Sequence, residues 1–556
     1  MYKQEKKSIC RRWALRSVAI LAFVGSSLMA QTGNLNRPYE PVILNGSSFA
    51  AFSNNVAPVN QLFLYVYKNS SKTWEQISWQ IDEVEPDSLD ATKTTYFRQG
   101  DGKLDDLDEL SFMAGDAGDK APADIWLDDA SARSFPRYEI ELTDPLVSGS
   151  KGYAYLYRSG TLSTSPSLPD YISYDLANDL IRAKGYEEGH LANGIQNSIL
   201  VPVSEGGSNS DFLDRLKLRV QIKSIFTITI DENSFNKVDV KFRDGRIRVI
   251  RELTERIALI NVDIPLLIKY YGNSFILNTS LNLTSVPGVA LLRQSFDFAP
   301  NVTGAKWYNQ NLVNPVTVDG VLDNLTDADL AIVNQPRLNW YMMSSAHGSF
   351  INIFSVPKEF GASQKFYYRD APEGSNDNTP DTGDDNKSFG DSGLWISGTN
   401  ITGIFPLVLT SYILGKDQPR SVGENLRSQA EQPLGFSIQA QNYTTGVADA
   451  HNAPARRFAL QQSYPNPVLL SQPSSMLIRY ELPWSEPTRV ELSVYNLLGQ
   501  KLRELVNTVQ TAGYYETQWD GRLENGEPAP AGIYFYQLRA GQQTITQKLM
   551  LISTSR

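Results

Sequence analysis

Cysteine is almost missing from this sequence, which has one, Cys10, in 556 residues. Because Cys10 precedes the apolar segment near the N-terminus, the rest of the chain carries no thiol. We therefore expect the body of the protein to have no disulfide and no thiolate nucleophile. This absence excludes the cysteine-peptidase class of function.

Histidine is also scarce, since only His190, His347 and His451 are present. No His-x-x-x-His pair occurs, so a three-histidine zinc site would need all three residues. A Ser-His-Asp triad would depend on His190 or His347, and neither lies near a Gly-x-Ser-x-Gly motif. The pattern favours structural or surface roles for both. If the protein is an enzyme, we expect carboxylates and tyrosines to do its chemistry.

Long hydrophobic runs are absent as well. The apolar run at residues 17–29 is shorter than the roughly 20 residues that span a bilayer. A basic segment precedes it, containing Lys3, Lys6, Lys7, Arg11, Arg12 and Arg16. We interpret residues 1–30 as a secretory signal peptide cleaved after Ala30, with an uncleaved anchor as the alternative. The remaining sequence predicts no transmembrane anchor.

Positive charge is in deficit, with 51 basic against 61 acidic residues and a net charge of −10. Removal of the basic N-terminal segment would make the chain still more acidic. Nucleic acids and anionic membranes bind proteins largely through phosphate contacts with Lys and Arg. The composition therefore predicts no nucleic-acid partner.

Alternating apolar and polar residues fill much of the chain and predict an all-β fold. The clearest example is a hairpin of residues 238–243 and 246–251 around Asp244-Gly245. Residues 168–185 fit a helix and a strand equally well. Short strands separated by turn residues at the C-terminus predict a small antiparallel sandwich.

These patterns divide the chain into five predicted segments. They are a signal peptide (1–30), an N-terminal β-domain with an acidic loop (31–160), a large antiparallel β-sandwich (161–438), a linker (439–459) and a C-terminal immunoglobulin-like sandwich (460–556). The body is thus a β-sandwich in two parts. Its larger part is similar to the mutarotase-type sandwich of polysaccharide lyases and sugar epimerases, a fold-level analogy only.

An acidic loop at residues 101–109 matches the second half of an EF-hand-like calcium loop. Its candidate calcium ligands are Asp101, Asp105, Asp108 and Glu109. The first half departs from the pattern, because Phe97 and Gln99 stand where carboxylates are expected. The alternative is an acidic turn that leads into a strand.

A second acidic loop lies between residues 370 and 391. Its candidate calcium ligands are Asp381, Asp384 and Asp391. A solvated loop is the default interpretation, although bound calcium would stabilise an exported protein without disulfides. We therefore expect either no cofactor or calcium as a structural ion.

Aromatic residues make up 11% of the chain and include candidates for stacking on sugar rings. They are Trp307, Tyr308, Trp340, Tyr341, Phe366, Tyr367, Tyr368 and Trp395. In β-proteins, however, aromatic side chains are more often core residues. A concave groove that contains Trp307, Trp340, Tyr341 and His347 together with a carboxylate pair would favour a carbohydrate-active enzyme. Scattered core positions would favour a non-enzymatic protein.

The last hundred residues carry the most specific motifs. Tyr464, Pro465, Asn466 and Pro467 form a rigid extended entry. Further motifs are Val494-Tyr495-Asn496-Leu497-Leu498-Gly499-Gln500, Trp519-Asp520-Gly521, Ala531-Gly532-Ile533-Tyr534-Phe535-Tyr536 and Lys548-Leu549-Met550.

Together these motifs resemble the type A C-terminal sorting domain of type IX secretion cargo, an immunoglobulin-like domain related to the flagellar hook-capping protein. The resemblance implies export across an outer membrane, with secretion machinery as the partner and an extracellular or cell-surface location. It often implies removal of the domain as well. The alternative is a plain immunoglobulin-like module without a sorting role.

Part of the body also resembles the N-terminal β-domains of several large exported bacterial proteins, through residues 79–83, 101–114 and 116–118. This likeness carries no active-site residues. Two functions follow as hypotheses. The first is a non-enzymatic exported protein for adhesion, scaffolding or glycan binding. The second is a carbohydrate-active lyase or hydrolase.

Overall fold

The computed structural model describes residues 35–53, 57–86, 94–257, 259–260, 262–356, 362–372, 387–443, 458–463, 468–469, 476–484, 486–497 and 499–552. The predicted signal peptide and most of the predicted linker lie outside these residues. So do Tyr464, Pro465, Asn466 and Pro467 of the sorting motif and the candidate ligands Asp381 and Asp384.

The N-terminal part of the body is a sandwich of two sheets. Its strands are β1 (Pro41–Asn45), β2 (Leu62–Lys68), β3 (Thr73–Gln76), β4 (Gln80–Asp82), β5 (Glu85–Pro86), β6 (Thr94–Thr95), β7 (Glu109–Met113), β8 (Arg137–Thr143) and β9 (Lys151–Arg158). One sheet has the order β1-β7-β4. In β8, alternate residues Tyr138, Ile140 and Leu142 enter the core between the sheets.

The larger part of the body contains most of the remaining strands. They are β10 (Ile172–Asp175), β11 (Leu180–Ala183), β12 (Glu187–His190), β13 (Gln196–Leu200), β14 (Leu213–Lys223), β15 (Thr227–Asp231), β16 (Phe235–Arg243), β17 (Arg248–Ile257), β18 (Val262–Tyr271), β19 (Ser274–Asn282), β20 (Val289–Phe298), β21 (Lys306–Asn309), β22 (Val316–Thr317), β23 (Asn339–Ser344), β24 (Ser349–Ser355), β25 (Ser363–Pro372), β26 (Lys387–Ser397) and β27 (Ile404–Leu414). The last strand of the body in chain order, β28 (Gly435–Gln441), joins a sheet of the N-terminal part. Residues 168–185, which fitted a helix or a strand, form strands β10 and β11.

Two sheets of this larger part face each other across the main core. One has the order β15-β14-β20-β26-β25, and the other has the order β16-β17-β18-β19-β27-β24-β23-β21-β22. Phe296 on the first packs edge-on against Phe350 on the second, with ring centroids 4.8 Å apart. A small sheet, β10-β11-β12-β13, lies beside them. Strand β28 instead completes the N-terminal sheet β28-β8-β9-β2-β3, so it includes residues 439–441 of the predicted linker.

One α-helix, α1 (Arg420–Glu431), interrupts the strand pattern of the described chain. Its apolar positions Val422, Leu426 and Ala430 repeat every four residues and pack beside Trp340. This helix was not predicted from the sequence, although the spacing and the preceding Pro419 were visible signals. Short 3-10 turns occur at Gly46–Ser48, Val59–Gln61, Ala114–Asp116, Ala132–Ser134, Val203–Glu205, Glu232–Ser234 and Pro300–Val302.

The C-terminal module is a separate sandwich with its own core. Its strands are β29 (Ala459–Leu460), β30 (Val468–Leu469), β31 (Met476–Leu482), β32 (Thr488–Tyr495), β33 (Lys501–Gln510), β34 (Gly513–Trp519), β35 (Gly532–Ala540) and β36 (Gln543–Ile552). The sheets β29-β31-β34 and β30-β36-β35-β32-β33 enclose this core. The predicted all-β fold class is therefore confirmed.

A buried ion cluster joins the two parts of the body. Arg248 at the start of β17 is fully buried, and its Nη2 lies 2.7 Å from Asp82 Oδ2 and 2.5 Å from Glu109 Oε2. The side-chain oxygen of Gln80 also accepts the N–H of Arg248 at 3.0 Å. These contacts explain a detail of the predicted hairpin. It is confirmed, but its second strand begins at Arg248 because the turn residues contact the N-terminal sheet.

Candidate functional site

An apolar floor covers part of the inner face of the nine-stranded sheet. Side chains at every second position of a strand point to the same face, so Ile264, Leu266 and Ile268 of β18 line it together. Rows of these side chains cross the sheet from strand to strand. Leu266 lies opposite Thr279 of β19, and Thr279 lies opposite Leu407 of β27. The facing sheet contributes Leu218, Leu292, Phe296, Leu394 and Ile396.

The two sheets enclose a cavity of about 210 Å³ between these side chains. An engineered protein cavity of about 150 Å³ is enough to bind benzene, so the space can hold an organic ligand. The cavity has chemically different ends. His190, Gly194, Gln196 and Glu255 line one end, below the small sheet, and Leu407 and Val408 of β27 line the other.

Apolar side chains are also exposed on turns at one end of the sandwich. Ile225 and Phe226 between β14 and β15 are 97% and 68% exposed, and Leu259 between β17 and β18 is 64% exposed. The neighbouring turn residues Ile260 and Leu283 line the cavity. An apolar ligand would therefore meet apolar side chains before it entered.

A cluster of charged side chains forms the polar end of the cavity. His190 on β12 is held by the backbone carbonyl of Asp179, which accepts from His190 Nδ1 at 2.9 Å. The other ring nitrogen, Nε2, lies 3.2 Å from Arg251 Nη1, which can only donate. Nε2 also lies 3.3 Å from Glu188 Oε1, so the His190 ring sits between Arg251 and Glu188.

The cations of this cluster are directed at Asp179. Arg251 binds both of its carboxylate oxygens at 2.8 and 3.0 Å, and Lys237 Nζ lies 2.7 Å from Oδ2. Burial acts to raise the pKa of Asp179, but His190 and Arg251 hold it below its usual value. Asp179 is therefore ionised and forms ion pairs with both Arg251 and Lys237.

Two further carboxylates in the cluster are less well satisfied. Glu188 is fully buried and accepts from Gln196 Nε2 at 2.6 Å through one oxygen, while its Oε2 has no hydrogen-bond partner. Glu255 is 3% exposed, and its Oε2 likewise has no hydrogen-bond partner. Burial raises the pKa of Glu255 to about 7, against the opposing effects of Arg251 and Lys237.

This raised pKa predicts a pH-dependent stability. In the folded protein Glu255 binds its proton more tightly than at its ordinary pKa of 4.5, so folding is favoured at low pH and loses this contribution as the pH rises through 7. We expect Glu255→Gln to remove up to about 3 kcal/mol of the loss between pH 4.5 and 8. Urea unfolding at several pH values measures it.

Glu75→Gln, at an exposed position on β3, is the matched control and should leave the pH profile of unfolding unchanged. Equal pH profiles for the wild type and Glu255→Gln would contradict the prediction.

No motif in the sequence predicts this cluster, and the sequence was interpreted without it. Structural or surface roles were expected for His190 and His347. The available signal was Glu255, which alternates with the apolar residues Leu253 and Ile257 and so occupies an inward position. His347 lies elsewhere, with Nδ1 2.8 Å from Ser208 Oγ and Nε2 3.1 Å from the carbonyl of Asn301.

The aromatic residues considered for sugar binding do not form one groove. Trp307 is buried in the main core, where its ring lies 4.3 Å from that of Tyr368. Tyr341 is also in that core, whereas Trp340 is buried on the other face of β23 against α1. Trp395 is half-buried and stacks on Tyr367 at 5.8 Å. These aromatic side chains therefore occupy scattered positions.

The carboxylates of the first acidic loop bind backbone N–H groups. Asp101 accepts from Lys103 at 2.8 Å, and Asp105 accepts from Leu107 at 2.9 Å. Asp108 is buried and accepts from the N–H groups of Val84 and Asp105, each at 2.9 Å. Burial raises the pKa of Asp108 to about 6. Glu109 pairs with Arg248 at the contact between the body domains.

In the second acidic loop the structure describes Asp391 on β26. It is 1% exposed, and neither of its carboxylate oxygens has a hydrogen-bond partner in the described part of the chain. Among the described residues, no three or more His, Cys, Asp or Glu side chains are grouped so that they could hold a metal ion. Calcium binding at either loop stays a prediction.

Differential scanning calorimetry of the purified chain, with calcium and with a chelator, tests that prediction. Calcium at either loop should raise the melting temperature by mass action. Asp101→Asn with Asp108→Asn would abolish the rise if the first loop binds the ion, and Asp381→Asn with Asp384→Asn would abolish it if the second does. Identical melting curves with calcium and with chelator would contradict both.

The sorting-motif residues of the C-terminal module have distinct structural roles. Trp519 is fully buried and donates its indole N–H to the carbonyl of Arg522 at 2.7 Å. Asp520 accepts the N–H of Arg522 at 3.1 Å, and Gly521 has a φ of +72°, which favours glycine. Gly499, with a φ of +77°, ends the turn after β32. Gly532 opens β35, and Lys548 is exposed on β36.

Within the described residues, no helix combines the length and the apolar character needed to cross a membrane.

Comparison with known proteins identifies one family in the chain. Residues 472–544, within the C-terminal module, match the FlgD Ig-like domain. This agrees with the predicted immunoglobulin-like domain related to the flagellar hook-capping protein. No curated protein matches the chain.

Solved structures resemble the chain only distantly. An alpha-mannosidase from Enterococcus faecalis is 9% identical with a TM-score of 0.39, and the match covers 87% of this chain and 55% of that one, a little over half its length. Latent PorU from Porphyromonas gingivalis is 10% identical with a TM-score of 0.15, covering 72% and 35% of the two chains. PorZ, a surface component of the type IX secretion system of that organism, is 11% identical with a TM-score of 0.14, covering 74% and 62%. With TM-scores this low, these likenesses support no functional argument.

Proposed function

We propose that this chain is an exported surface or secreted protein, delivered by type IX secretion through its C-terminal module, and that its body is non-enzymatic. The observation that carries the export role is the match of residues 472–544 to the FlgD Ig-like domain. The motif residues Trp519, Asp520 and Gly521 support it, because they build the core and turn of that module.

The non-enzymatic role of the body rests on the arrangement of its side chains. The aromatic and histidine residues selected as candidate sugar-binding or catalytic groups occupy separate core and surface positions. The charged cluster at the cavity is dominated by internal ion pairs to Asp179. Both features suit a protein that binds rather than one that catalyses. Glycan binding stays a prediction.

Export is tested with the full chain in a bacterium that has type IX secretion and in a strain that lacks its outer-membrane translocon. We expect the protein outside the first strain and in the periplasm of the second. Deletion of residues 460–556 should retain it in the periplasm of both. Export of the truncated chain, or equal export from both strains, would refute the proposal.

A surface position in the sorting motif gives a sharper test. Leu497 is 67% exposed beside the turn after β32, so it is available to the secretion machinery without supporting the core. We expect Leu497→Asp to reduce export at least about fivefold, a loss near 1 kcal/mol of recognition, with an unchanged melting temperature. Val509→Asp, at a position 58% exposed in the same module, is the control and should be exported normally. Equal export of the two variants would exclude recognition at Leu497.

A further inference from the structure

The charged cluster at the cavity has one more carboxylate than it has cations. Its carboxylates are Asp179, Glu188 and Glu255, and its cations are Lys237 and Arg251. His190 faces the first two carboxylates, with Nδ1 3.6 Å from Asp179 Oδ1 and Nε2 3.3 Å from Glu188 Oε1. The two permanent cations, Lys237 and Arg251, therefore serve three carboxylates.

Of these three carboxylates, Glu255 is the one that lines the cavity. Asp179 is paired with both cations, and Glu188 accepts a hydrogen bond from Gln196. Glu255 lines the cavity, is 3% exposed, and has a carboxylate oxygen without a hydrogen-bond partner. A buried carboxylate oxygen without a donor is unfavourable by several kcal/mol. A ligand with a positively charged hydrogen-bond donor would supply the partner that this oxygen of Glu255 lacks.

The rest of the cavity defines the other part of the ligand. From Glu255 on β17 the floor crosses β18 and β19 and ends at Leu407 on β27. Three strand spacings separate the two ends, roughly 14 Å, which is the length of an extended alkyl chain of about eleven carbons. The side chains of this floor are apolar, apart from Thr279, whose hydroxyl donates to the carbonyl of Pro265 at 2.9 Å. The facing sheet also carries Arg219, which pairs with Glu232, and Arg293, which donates to the hydroxyl of Tyr367 at 2.7 Å.

We propose that this cavity binds a single-chain amphiphile whose buried end is a protonated amine, with the ammonium at Glu255 and the alkyl chain lying across β18 and β19 to β27. The exposed side chains of Ile225, Phe226 and Leu259 provide an apolar approach to it. This inference concerns the body alone and goes beyond the export role, so either can fail without the other.

Calorimetric titration of the purified full chain tests the proposal, with dodecylamine, dodecan-1-ol and dodecanoic acid as probes at pH 7 and below their micelle concentrations. All three share one chain length and differ only at the polar end. A hydrogen bond to a charged group predicts that the amine binds on the order of 10- to 100-fold more tightly than the acid. Glu255→Gln should remove this preference and leave dodecanol binding nearly unchanged.

A second variant tests the path of the alkyl chain. Leu277→Trp places a larger side chain on the half-buried floor of the cavity and should weaken all three probes at least about tenfold. The matched control is Leu176→Trp, at a position 59% exposed on the turn between β10 and β11, which should bind like the wild type. If Leu277→Trp melts early, Leu266→Phe replaces it at the neighbouring row.

Several results would overturn the proposal. They are no binding of dodecylamine by the wild-type chain, equal affinity for amine and acid, an amine preference that survives Glu255→Gln, and unchanged binding by a folded cavity-filling variant.

Discussion

Replacement of Trp519 by alanine should unfold the C-terminal module at much lower denaturant and abolish export. Trp519 is fully buried at the end of β34, and its ring packs edge-on to Tyr534 with centroids 5.7 Å apart. The substitution removes the largest side chain of this small core and leaves the carbonyl of Arg522 without its indole donor. Truncation of a buried Trp or Phe side chain to alanine reduces the free energy of unfolding by about 3–5 kcal/mol.

The measurement combines urea unfolding of the full chain, followed by tryptophan fluorescence, with the amount of protein outside the cell. Trp484→Ala is the matched control. Trp484 is half-buried and packs against Phe458 at the edge of the same core, so we expect a smaller loss. A Trp519→Ala module that unfolds at the wild-type urea concentration would show that the motif tryptophan does not support this core.

Replacement of Arg248 by alanine should destabilise the body by a similar amount. Arg248 is the cation between Asp82 and Glu109, and both Arg248 and Asp82 are fully buried. Its removal leaves a buried carboxylate uncompensated, which typically lowers the free energy of unfolding by about 3–5 kcal/mol. Because this cluster joins β4 and β7 to β17, we expect the N-terminal sheet to become sensitive to protease first.

Limited proteolysis and thermal unfolding of the full chain measure this effect. Arg256→Ala, in the same strand, is the control. Arg256 pairs with Asp263 at the surface, where both side chains are more than 40% exposed, and such pairs contribute only about 0–1 kcal/mol. Similar melting temperatures for the two variants would mean that the Arg248 cluster does not hold the two parts of the body together.

Each of these two predictions depends on one buried residue. The sequence pointed to Trp519 but not to Arg248. Trp519 lies between a strand and an Asp-Gly turn, so its motif could be identified locally. Arg248 is one of several charged residues in a hairpin of alternating character. Its partner Asp82 is 166 residues away, and a charge at an alternating position looks the same whether it is buried or solvated.

Helix α1 and the acidic loop 101–109 both show that a local sequence pattern does not by itself determine what a segment forms. The helix had a readable four-residue spacing, yet it lies between two strands, and no element was predicted for its residues. The loop 101–109 had the composition of a calcium site, but Asp101, Asp105 and Asp108 accept backbone N–H groups and Glu109 pairs with Arg248. Carboxylates favour tight turns for the same chemical reason that they favour cations.

The sequence by itself determined the all-β class, the C-terminal sandwich and its turns, and the hairpin of β16 and β17. These features depend on period-two alternation and on Asp, Asn and Gly in turns, which act over a few neighbouring residues. Only the tertiary structure decided the cavity, the cluster of His190, Glu188 and Glu255 beside it, and the Arg248 contact. Each brings together strands that are distant in the chain, and whether a charged side chain there is paired, buried or open to a ligand depends on the sheet packed against it.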